Sequence, residues 1–362
     1  MAGRAPTTHT KEVAAVVALS RRGRVAAGVG AGMLAVVLAV GILALTGNAD
    51  KVPGLNTLIK PAATCPLTGV EPASGKVPDR PALAIKVENL PEARPQAGIE
   101  AADVVYEEPV EGGITRFIVV YQCRDSKRVG PVRSARFTDV DILPQYGTQT
   151  LFGFAGGAPP VEQRVQDSGL NDVNFQQPKA EKAYVRDPNR DEPHNLYTST
   201  GALYRAGGTS GGMPTEVLTF SDSVPSGAKR ASKVELDFSG SADVFWTFDH
   251  RNGLWVRSYD TGPAELENGR PITARNVVVQ TVRVKETGIV DAAGNPSPEV
   301  VATGTGRCLV FRNGRVIHGT WSRPTLGDLT VYRDAHGHTI DLAPGTTWIE
   351  LLPADKTPDV TK

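Results

Sequence analysis

Twenty-two consecutive residues, Val25 to Thr46 (VAAGVGAGMLAVVLAVGILALT), carry no charge, and that run constrains where the rest of the chain can fold. About 20 apolar residues at a rise of about 1.5 Å cross a hydrocarbon core of about 30 Å. The run is apolar on all faces, with Gly28, Gly30 and Gly32 inside it, and lacks the stripe by which a soluble helix docks on a core. Arg21, Arg22 and Arg24 precede it directly and no basic cluster follows, so the positive-inside bias places the N-terminus in the cytoplasm and everything after Gly47 outside. A cleaved secretory signal is the rival reading, with Gly47-Asn48-Ala49 as its small residues, but such signals have apolar cores of only about 7 to 15 residues.

The formal charge of zero hides an asymmetry: residues 1–24 carry a net +4 and the remainder a net −4. A mildly acidic exterior part lacks the broad basic surface that binds phosphate backbones, which sets nucleic acid aside as a partner. A length of 362 residues exceeds what one core usually organises. Its 38 glycines and 27 prolines favour short strands and turns over long helices. The expected plan is a cytoplasmic tail at 1–24, a membrane anchor at 25–46, a tether at 47–64 and a mixed α/β unit at 65–206. A joint at 207–215, a β-rich antiparallel unit at 216–355 and a tail at 356–362 follow. The fold class is α+β behind one transmembrane helix.

In the first unit ALAIKV at 82–87 predicts a strand, and VVYEEPV with ITRFIVVYQ, joined by Glu111-Gly112-Gly113, predicts a hairpin. Residues 96–103, 134–146 and 161–168 have helical spacing, and TLFGFAGG reads as a strand breaking into glycines. In the second unit a series of short runs, from DVFWTFD to TWIELLP, predicts a twisted antiparallel sheet or small barrel. Asn252-Gly253 and Asn313-Gly314 are its strongest turn signals, because both central positions of such a hairpin favour positive φ. Trp246, Trp255, Trp321 and Trp348 fall here; their bulk suits a core better than a sugar-stacking groove.

Three cysteines in an exterior setting suggest one bridge, Cys65 to Cys123, tying the tether's end to the sheet, with Cys308 as a small buried strand residue. Arg116, Arg133 and Arg136 lie in glycine- and proline-punctuated surroundings near strand ends, where α/β sheets form ligand sites. The planar guanidinium gives paired bonds to phosphate or carboxylate, and Gly156 and Gly157 add backbone donors for an anion. The competing role for these arginines is pairing with Glu107, Glu108 or Glu111. Glu111 and Asn195 complete the candidate ligand-binding set. His194 is the candidate catalytic acid/base, since imidazole titrates near neutrality; its competing role is a loop hydrogen bond. Ser134 lacks a nucleophile elbow. Asp139 and Asp141 point to different sides of a helix and His336-Gly337-His338 sits in a turn, so no metal site and no cofactor is legible.

CPLTG at 65–69, RPALAIKVEN at 80–89, ARPQAGIEAADVVYE at 93–107, VEGGITRF at 110–117, VGPVRSAR at 129–136 and PHNLY at 193–197 together resemble the YerB-like lipoprotein family, whose biochemical role is not established. The resemblance covers about residues 65–355 and implies an anchored extracytoplasmic protein of a bacterial envelope. One departure stands out: Gly153-Phe154-Ala155-Gly156-Gly157 occupies the place of an expected His-Ala-Gly-Gly, so no imidazole comes from that strand end. A looser similarity, carried by Thr115-Arg116, Pro131-x-Arg133 and the glycine-rich strand end, is to wall glycopolymer transferases of the LytR-CpsA-Psr type, without an acidic set for their magnesium. The expected function is binding of an anionic cell-wall polymer, lipid-linked intermediate or envelope protein. The alternative is a transferase or hydrolase of a phosphorylated or carboxylated wall component.

Overall fold

The last long strand of the chain is its keystone. The computed structural model describes residues 63–225, 227–240, 242–291 and 294–362; the expected tail, anchor and nearly all of the tether lie outside them. No helix among the described residues is long and apolar enough to cross a membrane. The first half contributes strands β1 (Leu83–Glu88), β2 (Val104–Pro109), β3 (Thr115–Tyr121), β4 (Leu151–Gly153) and β5 (Asn171–Asp172), and a small hairpin of β6 (Tyr184–Arg186) and β7 (Leu196–Thr198). Its helices are α1 (Phe137–Ile142), α2 (Pro159–Asp167) and α3 (Thr200–Gly207). The second half adds β8 (Lys233–Asp237), β9 (Asp243–Asp249), β10 (Leu254–Tyr259), β11 (Asn276–Val282), β12 (Val284–Val290), β13 (Pro296–Val300), β14 (Gly304–Arg312), β15 (Arg315–Arg323), β16 (Val331–Asp334), β17 (Thr347–Pro353) and β18 (Asp359–Thr361).

Among the described residues an eleven-stranded sheet runs β16-β15-β14-β11-β17-β2-β3-β1-β4-β5, with Lys229–Arg230 paired onto β15. β17 lies parallel to β2 on one side and parallel to β11 on the other, so strands from both halves of the chain share one ladder. Residues 63–362 thereby form one compact body. The β-rich half is mixed rather than purely antiparallel, because β17 returns in the direction of both its neighbours. A six-stranded sheet of Gly262–Pro263, β10, β9, β8 and β18, with Thr273–Ala274 on β10, is antiparallel throughout.

Both faces of the central strands are covered, which is why β1 reads as a continuous apolar run rather than an alternating one. Ile85, Phe117 and Trp348 on one face pack against the second sheet, α3 and the β6–β7 hairpin; Ala84, Ile118 and Ile349 on the other pack against α1 and α2. Trp348 meets Trp246 and Phe117 edge-on at 5.2 Å, and Trp255 meets Phe311 at 5.3 Å. All four tryptophans are buried, so none lines a sugar groove; each removes roughly 150–250 Å² from water, worth roughly 4–6 kcal/mol as an upper figure.

The β14–β15 hairpin turns on Asn313 (φ 51°) and Gly314 (φ 67°), as a tight turn with two left-handed positions requires. At 252–253 only Gly253 is left-handed, and its amide reaches back to the Asp249 carbonyl at 2.8 Å, giving a wider loop than the expected two-residue turn.

Candidate functional site

Charged side chains concentrate where β1 ends and β3 begins. Glu88 closes β1, Arg116 is the second residue of β3, and the two are register partners; Arg116 is also opposite Glu108 on β2. Side chains alternate along a strand, so Lys86 and Glu88 share the face of Ala84, while Glu108 and Arg116 share that of Tyr106 and Ile118. That is the face covered by α1 and α2. Residues 131–136 cross it as an extended strap. Glu88 N donates to the Pro131 carbonyl at 2.9 Å and Arg133 N to that of Lys86 at 3.0 Å, while Ala155 N donates to Arg133 and Ala135 N to Gly156, both at 3.0 Å. The strap sets Arg133, Ser134 and Arg136 between the end of β1 and the glycines that follow β4.

Glu88, fully buried, is the hub. Its Oε1 lies 2.8 Å from Arg133 Nε and its Oε2 2.9 Å from His194 Nδ1. Arg136 pairs through Nη2 with Glu111, whose other oxygen accepts from Ser297 Oγ at 2.5 Å. Burial pushes the Glu111 carboxyl up, but the Arg136 guanidinium outweighs it and holds the group below its ordinary value.

Arg116 differs from its neighbours. It is 6% exposed, and among the described residues no carboxylate lies within ion-pair distance of it. Its Nη1 donates to the Ser134 carbonyl at 3.2 Å, and its Nε, like those of Arg133 and Arg136, has no hydrogen-bond acceptor among the described residues. Burial first, then repulsion from Arg136 and Arg133, pushes its pKa down to about 10. Arg133 and Arg136 thus have carboxylates within ion-pair distance, and Arg116 has none among the described residues.

A cavity of about 230 Å³ opens beside Arg136, lined by Glu111, Ser134, Arg136, Gly157, Ala158 and Val161 from the first half and by residues of the β12–β13 ribbon, Asp291 among them; Arg116, Arg133, His194 and Gly156 do not line it. Gly156 is left-handed (φ 72°), which lets the chain turn into α2. Pro159 and Pro160 head that helix, so its first turn offers a favourable dipole but lacks two amide donors.

Asn195 is elsewhere engaged: its side-chain oxygen accepts from Arg186 at 2.7 Å and its carbonyl from Asp187 N, bracing the β6–β7 loop. No hydrogen bond joins it to the arginines among the described residues. His194 comes from the same loop and meets the cluster only through Glu88.

Sequence reasoning missed Lys86 and the pairing it makes beneath the cradle. Lys86 Nζ, fully buried, pairs with Glu108 and, at 2.7 Å, with Asp139 on α1. Burial pushes Glu108 up to about 7, with Lys86 pulling the other way and Asp139 adding to the rise. On the opposite face Arg257 meets Glu107 at 2.6 Å, and Glu350, raised well above its ordinary value chiefly by burial and then by Glu107, accepts from Trp246 Nε1 at 2.6 Å. That second network ties the two sheets together. The signal available was a lysine and a glutamate at alternate positions of an otherwise apolar β1.

Far along β3, Cys65 and Cys123 are joined, with their Cα atoms 5.9 Å apart. Cys308 is buried and unpaired, its thiol pushed up to about 12 by burial. Among the described residues no group of three metal-ligating side chains gathers.

Residues 67–212 match the family model described as "Protein of unknown function (DUF3048) N-terminal domain", and residues 234–349 match its C-terminal counterpart. A Bacillus subtilis protein named "Putative lipoprotein YerB" is 29% identical over 315 residues, spanning 84% of this chain and 89% of that one. The crystal structure of the YerB protein from Bacillus subtilis is similar in fold, with a TM-score of 0.71 at 27% identity, over 83% of this chain and 100% of the other.

Proposed function

Because the chain belongs to the DUF3048 family together with the YerB protein of Bacillus subtilis, we propose that it is a membrane-anchored protein of the bacterial envelope, exterior in its folded part, whose arginine cluster binds an anionic ligand. The lipoprotein description of the relative supports the compartment. So does the disulfide, a bond that persists in oxidising surroundings. Anchoring here falls to the uncharged segment 25–46, since the sulfur of Cys65 is already bonded to Cys123.

One observation carries the ligand reading: Arg116 is buried beside two further arginines and, among the described residues, has no carboxylate within ion-pair distance. A desolvated cation without a counter-charge is costly. Among the described residues Arg116 alone of the three arginines has no carboxylate within ion-pair distance, and a phosphate or carboxylate bound at Arg136, which lines the adjoining cavity, adds a counter-charge to the cluster. Thermal unfolding of the detergent-solubilised full chain tests this. Phosphate, pyrophosphate and citrate raise Tm over chloride at matched ionic strength, and Arg136→Ala removes the rise; no rise with any of the three sinks the proposal.

The geometry of His194 favours a second reading, an envelope transferase or hydrolase acting on a phosphorylated or carboxylated wall component. A buried carboxylate fixing one imidazole nitrogen at 2.9 Å leaves the other to move a proton. Turnover of a phosphomonoester that His194→Ala abolishes, with anion binding retained, decides for it.

A further inference from the structure

Resting on the anion-site reading above, we infer that the ligand is amphiphilic: a phosphate or carboxylate head carrying an apolar substituent, with the head at Arg136 and the substituent against the β12–β13 ribbon.

The cavity is two-sided. Arg136, Ser134, Gly157 and Ser297 form a polar wall together with the carboxylates of Glu111 and Asp291, and Ala158, Val161, Ile289 and Val290 form an apolar one. A water claims about 30 Å³ of liquid, so a cavity of about 230 Å³ has room for several times a bare four-oxygen ion. The apolar wall is built from two separate elements, the first turn of α2 and the end of β12. Val290 is 61% exposed at the lip, on a strand whose preceding residues Lys285, Glu286 and Thr287 are polar. A lone exposed valine needs no explanation, but this one continues an apolar surface that borders the Arg136–Glu111 pair. The ribbon is also coupled to the cradle, because Ser297 on β13 donates to the same Glu111 that pairs with Arg136. Displacement of Glu111 by a ligand head is therefore felt by the ribbon that contacts the substituent.

Calorimetric titration of the full chain in nanodiscs compares hexyl phosphate with inorganic phosphate, hexanoate with acetate, and hexanol alone. The inference expects the hexyl member of at least one anionic pair to bind about tenfold or more tighter than its parent, as burial of a few methylenes provides. The better pair identifies the head. Hexanol is expected not to bind measurably, and Val290→Asn is expected to shrink the hexyl advantage, read as the ratio of the hexyl member's affinity to its parent's. Equal affinity within both pairs overturns the inference and leaves the anion site standing. Hexanol binding as tightly as hexyl phosphate also overturns it, and no binding by any anion removes the anion site as well.

Discussion

Glu88 and Arg116 are register partners on β1 and β3, yet they form no ion pair. The oxygens of Glu88 face other partners, Oε1 lying 2.8 Å from Arg133 Nε as an ion pair without a hydrogen bond and Oε2 lying 2.9 Å from His194 Nδ1. The carboxylate placed to neutralise Arg116 holds the strap and the β6–β7 loop together instead. An unpaired guanidinium inside a sheet-and-strap cradle is the result, and the account of the site rests on it.

Replacing the hub unfastens two segments at once. Glu88→Gln is expected to cost about 2–3 kcal/mol, somewhat less than the loss of a fully buried pair because Arg133 retains some contact with solvent. Urea denaturation checks this; an unchanged midpoint would mean that the strap is held by its backbone bonds alone.

The bond between Cys65 and Cys123 closes a loop of 58 residues, and a loop of that length constrains the unfolded chain by about 4 kcal/mol. Chemical unfolding with and without reductant is expected to differ by that order. A difference below about 1 kcal/mol would show that the chain upstream of β1 is secured by packing.

Stability should fall as pH rises from about 4.5 through about 7. Glu108 holds its proton to about 7 in the folded chain against an ordinary 4.5, so over that window the native state binds a proton that the unfolded chain has released. Asp141, raised to about 6 by burial against the pull of Arg164, tilts the curve the same way. Denaturation midpoints at about pH 5 and about pH 8 measure the slope, and Glu108→Gln should flatten it. An equal slope in the variant would place the titration elsewhere.

Local chemistry made parts of this fold legible. Glu-Gly-Gly between two apolar runs predicts the β2–β3 hairpin, which the structure has, and Asn313-Gly314 marks the tightest turn of the β-rich half. The insertion of β17 between β2 and β11 was not legible, because parallel pairing between strands distant in sequence, more than 200 residues apart for β2 and β17, leaves no short-range signature. The arginines stood out through their glycine- and proline-rich surroundings, whereas Glu88 and Lys86 were masked by the apolar run that holds them. Asn195 was marked by its motif beside His194, but its side chain serves the local loop. Sequence spacing cannot separate a loop brace from a ligand contact when both want the same amide.

The most direct test is Arg116→Met, near-isosteric and uncharged, measured for urea stability and anion-induced Tm shift together. If Arg116 is kept for a ligand, its removal relieves repulsion from Arg133 and Arg136: the ligand-free protein gains about 1–2 kcal/mol and the phosphate-induced shift disappears. A variant that is less stable than wild type and still shows the full anion shift would make Arg116 a structural residue and contradict the account.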